Sequence, residues 1–176
     1  MELDYNAAEL RVLLGLSGKQ QPTEDLHIWN LNNIYRGNGT RDEVKKRIFS
    51  WLYNPQSKDY APRRFYDREG ILRKYWNGQV VITPMDRVIS ADKHHALNYL
   101  IQSTTADRVL EKAVLIDKML EGKKSFISHI VHDEIVIDYA DKDRDIVIGI
   151  RDVFEDGYVA NLRAGKDYYN LNEIKL

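Results

Sequence analysis

Residues 126–139, FISHIVHDEIVIDY, decide the fold class of this chain. Two runs rich in β-branched residues, Phe126 to Val131 and Ile135 to Tyr139, flank the polar triplet His132-Asp133-Glu134. This pattern predicts a β-hairpin, because β-branched residues fit a pleated surface and a short polar segment fits a turn. The hairpin is the first part of a sheet to which the other elements must be added.

Further elements are expected on both sides of this hairpin. The patterns predict strands at 2–5, 79–83 and 158–163, and helices at 7–18, 25–35, 40–54, 67–76, 91–120 and 142–154, with a loop at 56–65. The longest helix is expected to be weakened at 103–105, where hydroxyl groups compete for backbone hydrogen bonds. Together these elements predict an α+β fold with a small, mostly antiparallel sheet backed by helices.

The composition excludes several classes of protein. The 176 residues carry a net charge of −1 and include no cysteine, which excludes a disulfide scaffold, a thiolate metal site and a cysteine nucleophile. No apolar run approaches the ~20 residues of a membrane span. The N-terminal MELDYNAAELRV lacks the features of a signal peptide. We therefore expect a cytoplasmic protein without membrane association, in the host cytoplasm if the source is viral.

The charges are distributed unevenly along the chain. Residues 36–94 contain 13 basic and 7 acidic residues, whereas the remaining segments contain 13 basic and 20 acidic residues. A basic middle segment suits an anionic ligand, and acidic flanking segments can supply carboxylates for other chemistry. An ordinary solvated surface is the alternative interpretation.

Four residues recur at every fourth position of the helix that follows Thr40: Arg41, Lys45, Phe49 and Tyr53. This spacing keeps them on one helical face, with cations at the N-terminal end and aromatic rings beyond. The pattern matches a ligand with phosphates at one end and a flat ring at the other. Alternatively, the rings face a core and the cations are merely solvated.

Asp4 ends a predicted strand and Asp133 lies at the hairpin turn, so both carboxylates can project from a sheet edge. Carboxylates without histidine or cysteine ligands suit Mg²⁺ better than zinc. Read alone, His132-Asp133-Glu134 is an ordinary polar turn. Glu9 could form an exposed pair with Arg11, and His27 could be a partly buried interface residue.

Five strings occur in a fixed order: LDYNAAELRVLLGLSG, DLH, TRDEVKKRIFSWLY, NYLIQSTTAD and IVHDEIVI. They resemble the palm and fingers motifs of family A (DNA polymerase I-like) DNA polymerases. The pattern D-Y-x-x-x-E-L-R begins at Asp4, R-x3-K-x3-(F/Y)-x3-Y begins at Arg41, and H-D-E begins at His132. GKDYY, from Gly165 to Tyr169, is similar to the closing G-x-x-W/Y segment of the family.

The resemblance implies a DNA-directed DNA polymerase segment, which adds dNTPs to a primer 3′-hydroxyl by a two-metal mechanism. Asp4 and Asp133, with the main-chain carbonyl of Tyr5, would hold two Mg²⁺ ions. Glu134 is implied as a further catalytic carboxylate.

The resemblance also implies binding roles. Arg41 and Lys45 would bind the triphosphate, Phe49 would stack near the base and sugar, and Tyr53 would lie where the template base enters. Glu9 would reject a ribonucleotide at the 2′ position. The primer-template would be contacted by Asn98, Gln102, His132 and Arg87.

The domain organisation implied by the resemblance is palm (1–35), reduced fingers (36–80) and palm again (81–176). The short span after Tyr53 is closer to a phage polymerase than to a bacterial repair enzyme. Family members carry a thumb and further palm strands before the first motif. We therefore expect either one piece of a split polymerase, with an upstream polypeptide as partner, or an excised or minimal fragment. In both cases strand 2–5 is expected to lie at a sheet edge with no preceding neighbour.

Other functions and departures from the pattern are part of the prediction. The main alternative is a non-catalytic DNA-binding or assembly subunit of a replication complex, and a metal-dependent nuclease is a third possible function.

The sequence departs from the family pattern at three positions. Asn54 and Ser103 stand where the family usually has glycine, and His94 stands where arginine often occurs. The bend beside Tyr53 and the template-primer contacts are therefore expected to differ.

Overall fold

A computed structural model of the chain describes residues 1–174. The strands are β1 Glu2–Tyr5, β2 Val80–Ile82, β3 Val88–Ser90, β4 Phe126–Val131, β5 Glu134–Asp138, β6 Ala160–Ala164 and β7 Asn172–Glu173. The α-helices are α1 Ala8–Leu16, α2 Leu26–Asn33, α3 Arg41–Tyr53, α4 Arg68–Tyr75, α5 Ala96–Leu120 and α6 Val147–Glu155, with 3₁₀ turns at Ala61–Arg64 and Asp141–Ile146. The predicted α+β class is confirmed.

The main sheet has five antiparallel strands in the order β4-β5-β1-β6-β7, and β2 and β3 form a separate two-stranded sheet. The expectation that β1 lies at an edge is wrong, because β5 and β6 pair with it on both sides. The ammonium group of Met1 donates to the carbonyl of Ile137 at 2.9 Å, which extends the β1–β5 pairing by one residue. The edges of this sheet are β4 and β7.

One face of the main sheet carries the hydrophobic core. Successive side chains of a strand alternate between faces, so Leu3 and Tyr5 of β1 share a face, as do Ile135 and Ile137 of β5. These four residues are almost completely buried, in one cluster with apolar residues of α5 and α6 that include Phe154. Burying each such side chain contributes roughly 1.5–3 kcal/mol. The opposite face is therefore left for polar residues.

The described chain consists of two compact units. The sheet unit contains Met1–Ala8 and the residues from Ala106 onward, and the helical unit contains Glu9–Thr105. The names palm and fingers, with their boundaries at residues 35 and 80, stay predictions. Residues 175–176 of the predicted final segment lie outside the described residues.

The helical unit has its own buried interior around α3. Thr40 and Glu43 form the predicted capping box, in which each side chain accepts a hydrogen bond from the other's backbone N–H, at 3.3 and 2.8 Å. Such caps satisfy donors that the first helical turn leaves unpaired. The buried face of α3 consists of Val44, Ile48, Trp51 and Leu52.

The long helix differs from its prediction in two respects. It begins at Ala96 rather than near Ala91, because the Asp92 carboxylate accepts hydrogen bonds from the backbone N–H groups of His94 and His95 and forms a turn there. It is also continuous through residues 103–105. The Thr104 hydroxyl donates to the Leu100 carbonyl at 2.7 Å and so remains compatible with the helix.

The C-terminal elements also depart from expectation. The single helix predicted at 142–154 is a 3₁₀ turn followed by α6. The carboxylate of Asp143 accepts from Lys124 N, Ser125 N and Ser125 Oγ at 2.7–2.9 Å, which fixes the 3₁₀ turn against the start of β4. Strands β3 and β7 were not predicted, and residues 61–64 of the predicted loop form a 3₁₀ turn.

Candidate functional site

Strand register places Asp4 in the middle of a polar row on the face opposite the core. Asp4 lies directly across from Glu134 of β5 and from Asn161 of β6. Directly opposed residues share a face of the sheet. Two residues away on the same face, Glu2 of β1 lies across from Arg163 of β6. This face therefore collects three carboxylates and one guanidinium.

The turn between β4 and β5 brings Asp133 beside this row. Val131 pairs with Glu134, so His132 and Asp133 alone form the turn, and His132 adopts a left-handed conformation with φ of 53°. The prediction that Glu134 is part of the turn is wrong, since it is the first residue of β5. Placing Glu134 in the ladder fixes its side chain on the same face as Asp4.

The surroundings of Asp4 disfavour its charge. Burial raises the pKa of the Asp4 carboxyl, and the negative charge of Asp133 raises it further. A 3.5 Å hydrogen bond from Asn161 and the positive charge of Arg163 act in the opposite direction. Asp4 and Asp133 thus lie close enough to repel each other, which is the condition that a bound cation relieves.

Arg163 is the counter-ion of the polar face, and sequence analysis missed it. Its Nη1 lies 2.8 Å from Glu2 Oε1, and its Nη2 lies 3.5 Å from Asp4 Oδ2. Glu2 is only 3% exposed, so this pair compensates a buried carboxylate. Arg163 and Asn161 alternate with the buried Ala160 and Leu162, and this two-residue period was the available signal.

The closing segment reaches the same row through Tyr168. Its hydroxyl donates to Glu134 Oε1 at 2.5 Å, and this hydrogen bond raises the pKa of Tyr168 to about 12. Its ring meets His129 of β4 edge to face, with centroids 5.7 Å apart. Tyr168 therefore holds Glu134 in place.

Tyr5 has a structural side chain. Its hydroxyl donates to the Phe154 carbonyl at 2.5 Å, and its ring stacks on Phe154 with centroids 4.0 Å apart. Burial raises the pKa of Tyr5 to about 12. Only its main-chain carbonyl is left for the predicted metal contact.

The donor set on the polar face fits a hard divalent cation. Within residues 1–174, no group of three or more His, Cys, Asp or Glu side chains is arranged to hold a metal ion. Mg²⁺, however, is usually bound by one or two carboxylates, with waters and substrate phosphates completing its coordination. Asp4 and Asp133 supply two carboxylates, which is enough for such a site.

In the helical unit, the predicted stripe lies off the buried face of α3. Arg41 and Phe49 are half-buried, and Lys45 and Tyr53 are exposed. The rings of Phe49 and Tyr53 are nearly parallel, at 8°, with centroids 6.2 Å apart. The alternative in which both rings fill the core does not hold, because Val44, Ile48, Trp51 and Leu52 take those positions.

Two acidic residues contact the ends of this stripe. Asp25 accepts from Arg41, with Nη2 and Oδ2 2.6 Å apart. Partial burial, and then a hydrogen bond that Glu9 accepts from Tyr53, raise the pKa of the phenol. The alternative exposed pair of Glu9 with Arg11 is wrong, because Arg11 is fully buried and donates to the carbonyls of Pro22 and Glu24 at 2.8 and 2.9 Å.

His27 lies beside the same stripe. It is 2% exposed, and its ring centroid lies 5.8 Å from that of Phe49. Burial lowers its pKa to about 4, and the negative charge of Asp25 opposes this in part. His27 is therefore a neutral, buried residue at neutral pH rather than a partly buried one.

The predicted primer-template contacts are divided between the two units. Arg87, Asn98 and Gln102 lie in the helical unit, and His132 lies in the sheet unit. Arg87, Gln102 and His132 are exposed. The Oδ1 atom of Asn98 is buried and makes no hydrogen bond among the described residues. An unsatisfied buried acceptor is costly, which marks Asn98 as a candidate for binding a donor group.

No protein-family model and no curated protein matches the chain. Among solved structures, the chain is similar to the POL domain of Pol1 from M. smegmatis in complex with DNA primer-template and dNTP. The TM-score is 0.66, with 19% sequence identity over 90% of this chain. This chain shares its fold with a polymerase domain.

The similarity covers only part of the mycobacterial protein. The chain spans about a third of that structure, 36% of its length. No helix in the described part of the chain combines the length and apolar character needed to cross a membrane.

One predicted departure has a simple structural outcome. Asn54 ends α3 with φ of −103°, which any residue can adopt, and its N–H donates to the Ser50 carbonyl at 3.1 Å. Glycine is therefore not required at this position. The Asn54 side chain accepts from Gln56 N at 2.9 Å and fixes the chain direction after Tyr53.

Proposed function

We propose that this chain is the catalytic segment of a DNA-templated DNA polymerase. One observation carries the proposal: the register of β1, β5 and β6 sets Asp4 beside Glu134 and close to Asp133. This acidic row lies on a fold shared with a polymerase domain bound to primer-template and dNTP. Paired carboxylates at the end of such a sheet support metal-assisted nucleotidyl transfer.

In the proposed mechanism, Asp4, Asp133 and the Tyr5 carbonyl would hold two Mg²⁺ ions. When bound, the ions lower the pKa of the primer hydroxyl and neutralise charge on the triphosphate. Arg163 forms an ion pair with Glu2 through Nη1, and its Nη2 also places positive charge near Asp4. Tyr168 fixes Glu134, so the carboxylates keep their spacing.

The stripe on α3 is proposed to bind the incoming dNTP. Arg41 and Lys45 would bind phosphates through charge-assisted hydrogen bonds. The parallel rings of Phe49 and Tyr53 provide a surface on which a base or sugar can pack. Glu9, held by Tyr53, would lie against the 2′ position of the sugar and exclude a ribonucleotide.

The partners proposed are primer-template DNA and an upstream polypeptide carrying a thumb and further palm strands. A phage-like enzyme is proposed from the short span between Tyr53 and Val81. Because β1 is paired on both sides, a missing sheet neighbour no longer supports the upstream partner. What supports it is electrostatic, since the carboxylates of the polar face repel DNA unless cationic surface surrounds the duplex.

The decisive experiment is primer extension by the 176-residue chain, alone and with the polypeptide that copurifies with it. We expect little extension alone, and restored extension with a higher melting temperature in the complex, because a partner that binds only the folded state stabilises it. Efficient extension by a monodisperse monomer would contradict the partner. Failure of the complex to extend any primer would contradict the polymerase.

A further inference from the structure

Arg41 is held along one edge by a single carboxylate. Arg41 Nε lies 3.2 Å from both oxygens of Asp25, and Arg41 Nη2 lies 2.6 Å from Oδ2. A guanidinium has two edges that can each bind an anion through paired N–H groups, Nε with Nη2 and Nη1 with Nη2. Asp25 occupies the first of these edges.

Asp25 is itself fixed to the helical unit. It is the N-cap of α2, where its Oδ1 accepts from Ile28 N at 2.9 Å. The first two residues of α2, Leu26 and His27, are buried, so the start of this helix is anchored in the interior. A carboxylate with this double role has little freedom to follow a moving arginine.

The second edge of Arg41 has a much weaker neighbour. Arg41 Nη1 lies 3.5 Å from Asp42 Oδ1, and the Asp42 side chain is 83% exposed. An ion pair of this kind contributes little in water. The Nη1 edge can therefore accept a phosphate while Asp25 stays in place, because the two ligands use different edges.

We propose that Asp25 is a positioning residue, which clamps Arg41 so that its second edge is presented to the triphosphate of an incoming nucleotide. The proposal deepens the function above and rests on it. Clamping lowers the entropy that Arg41 loses on binding, since its side chain is already ordered. If Asp25 instead competed with phosphate for Arg41, it would weaken nucleotide binding. Removing Asp25 would then increase nucleotide affinity, whereas removing a clamp would decrease it.

The test is equilibrium binding of magnesium dATP to the full chain, with melting temperature as a measure of folding. Asp25→Asn retains the N-cap, because asparagine caps helices about as well as aspartate, but it loses the charge and the second acceptor. We expect binding about tenfold weaker with the melting temperature nearly unchanged. The loss should vanish in an Arg41→Ala background, a coupling that general structural damage would not produce.

Two controls complete the test. Asp59 forms a comparable ion pair, at 2.6 Å, with Arg47, which lies on α3 like Arg41. Asp59→Asn breaks this pair and should leave dATP binding unchanged. Arg41→Lys should bind nearly as weakly as Arg41→Ala, because an ammonium group has no second edge. Wild-type binding by Arg41→Lys would overturn the clamp even if Asp25→Asn fails to fold.

Other results would overturn the proposal in distinguishable ways. Tighter binding by Asp25→Asn would make Asp25 a competitor, and unchanged binding would leave it as a helix cap only. A loss that persists in Arg41→Ala would be structural. If Arg41→Ala itself binds dATP as wild type does, the nucleotide-binding role of α3 fails and the clamp fails with it.

Discussion

The polar face of the sheet unit and the stripe of the helical unit are opposite in charge but similar in design. The first gathers Glu2, Asp4 and Glu134 with one arginine, Arg163. The second gathers cations and aromatic rings with an acidic residue, Asp25, against the first cation. Each site thus contains side chains of opposite charge, Arg163 in the first and Asp25 with Glu9 in the second. A site that must bind a highly charged ligand can in this way remain folded before the ligand arrives.

The two sites differ in how the chain encodes them. The stripe depends on residues four positions apart in one helix, so its geometry is local. The acidic row depends on pairing between strands at the two ends of the sequence, 2–5 and 160–164. Single substitutions in the stripe are therefore expected to lower activity independently of one another. Substitutions in the acidic row are expected to affect all of its residues together.

The largest effect is expected at the acidic row. In the proposed assembled enzyme, Asp4→Asn or Asp133→Asn should reduce nucleotide incorporation by about a thousandfold or more, because each removes a proposed metal ligand that would stabilise the transition state by several kcal/mol. Primer extension by single turnover measures this. Since burial and Asp133 raise the pKa of Asp4, Asp4→Asn should not lower the melting temperature.

Asp138→Asn, an exposed carboxylate at the other end of β5, is the matched control and should extend primers normally. Activity within a fewfold of wild type in either Asp4→Asn or Asp133→Asn would refute the two-metal assignment.

A smaller effect is expected at the stripe. Arg41→Ala and Lys45→Ala should each weaken dNTP use by about 10- to 150-fold, since a charge-assisted contact contributes roughly 1.5–3 kcal/mol. DNA affinity should change less. Apparent dNTP affinity and duplex affinity, measured separately, check this. Lys46→Ala, on the same helix but off the stripe, is the control, and equal loss of both affinities would place the stripe on the DNA backbone.

The aromatic end of the stripe should set selectivity for the sugar. Phe49→Tyr adds a hydroxyl that can replace the one a dideoxynucleotide lacks, so its discrimination against chain terminators should relax by about fivefold or more, the worth of one hydrogen bond. Competition between dideoxy and deoxy nucleotides in primer extension measures the ratio. An unchanged ratio would remove Phe49 from the sugar pocket.

The last effect concerns stability rather than activity. Because His27 has a pKa of about 4 when folded and 6.5 as its ordinary value, the unfolded state takes up a proton first as pH falls. Stability should therefore decrease between pH 6.5 and about 4, by up to about 3 kcal/mol, and then level off. Denaturant unfolding of His27→Gln should show a flatter pH dependence. The exposed His94→Gln is the control, and a slope equal to that of wild type in His27→Gln would refute the assignment.

Local structure was predictable because its causes are local. The capping box at Thr40 and the spacing from Arg41 to Tyr53 lie within one helix, and the structure has both. Strand pairing was not, because the alternation in β1 does not say which strands lie beside it. The central position of β1 and the role of Arg163 therefore emerged only from the register. The late start of α5 follows from one side chain, Asp92, whose turn competes with the helix.

Because side chains alternate along β1, the polar site and the hydrophobic core depend on the same strand register. Leu3 and Tyr5 point into the core while Glu2 and Asp4 point away from it, so inserting or deleting one residue before Asp4 would exchange the two sets. Such a change would place a carboxylate among apolar residues and would also remove the proposed metal ligand, Asp4, from the polar face. Insertions and deletions in this strand are therefore selected against for two reasons. A variant that still folds has also kept Glu2 and Asp4 on the polar face.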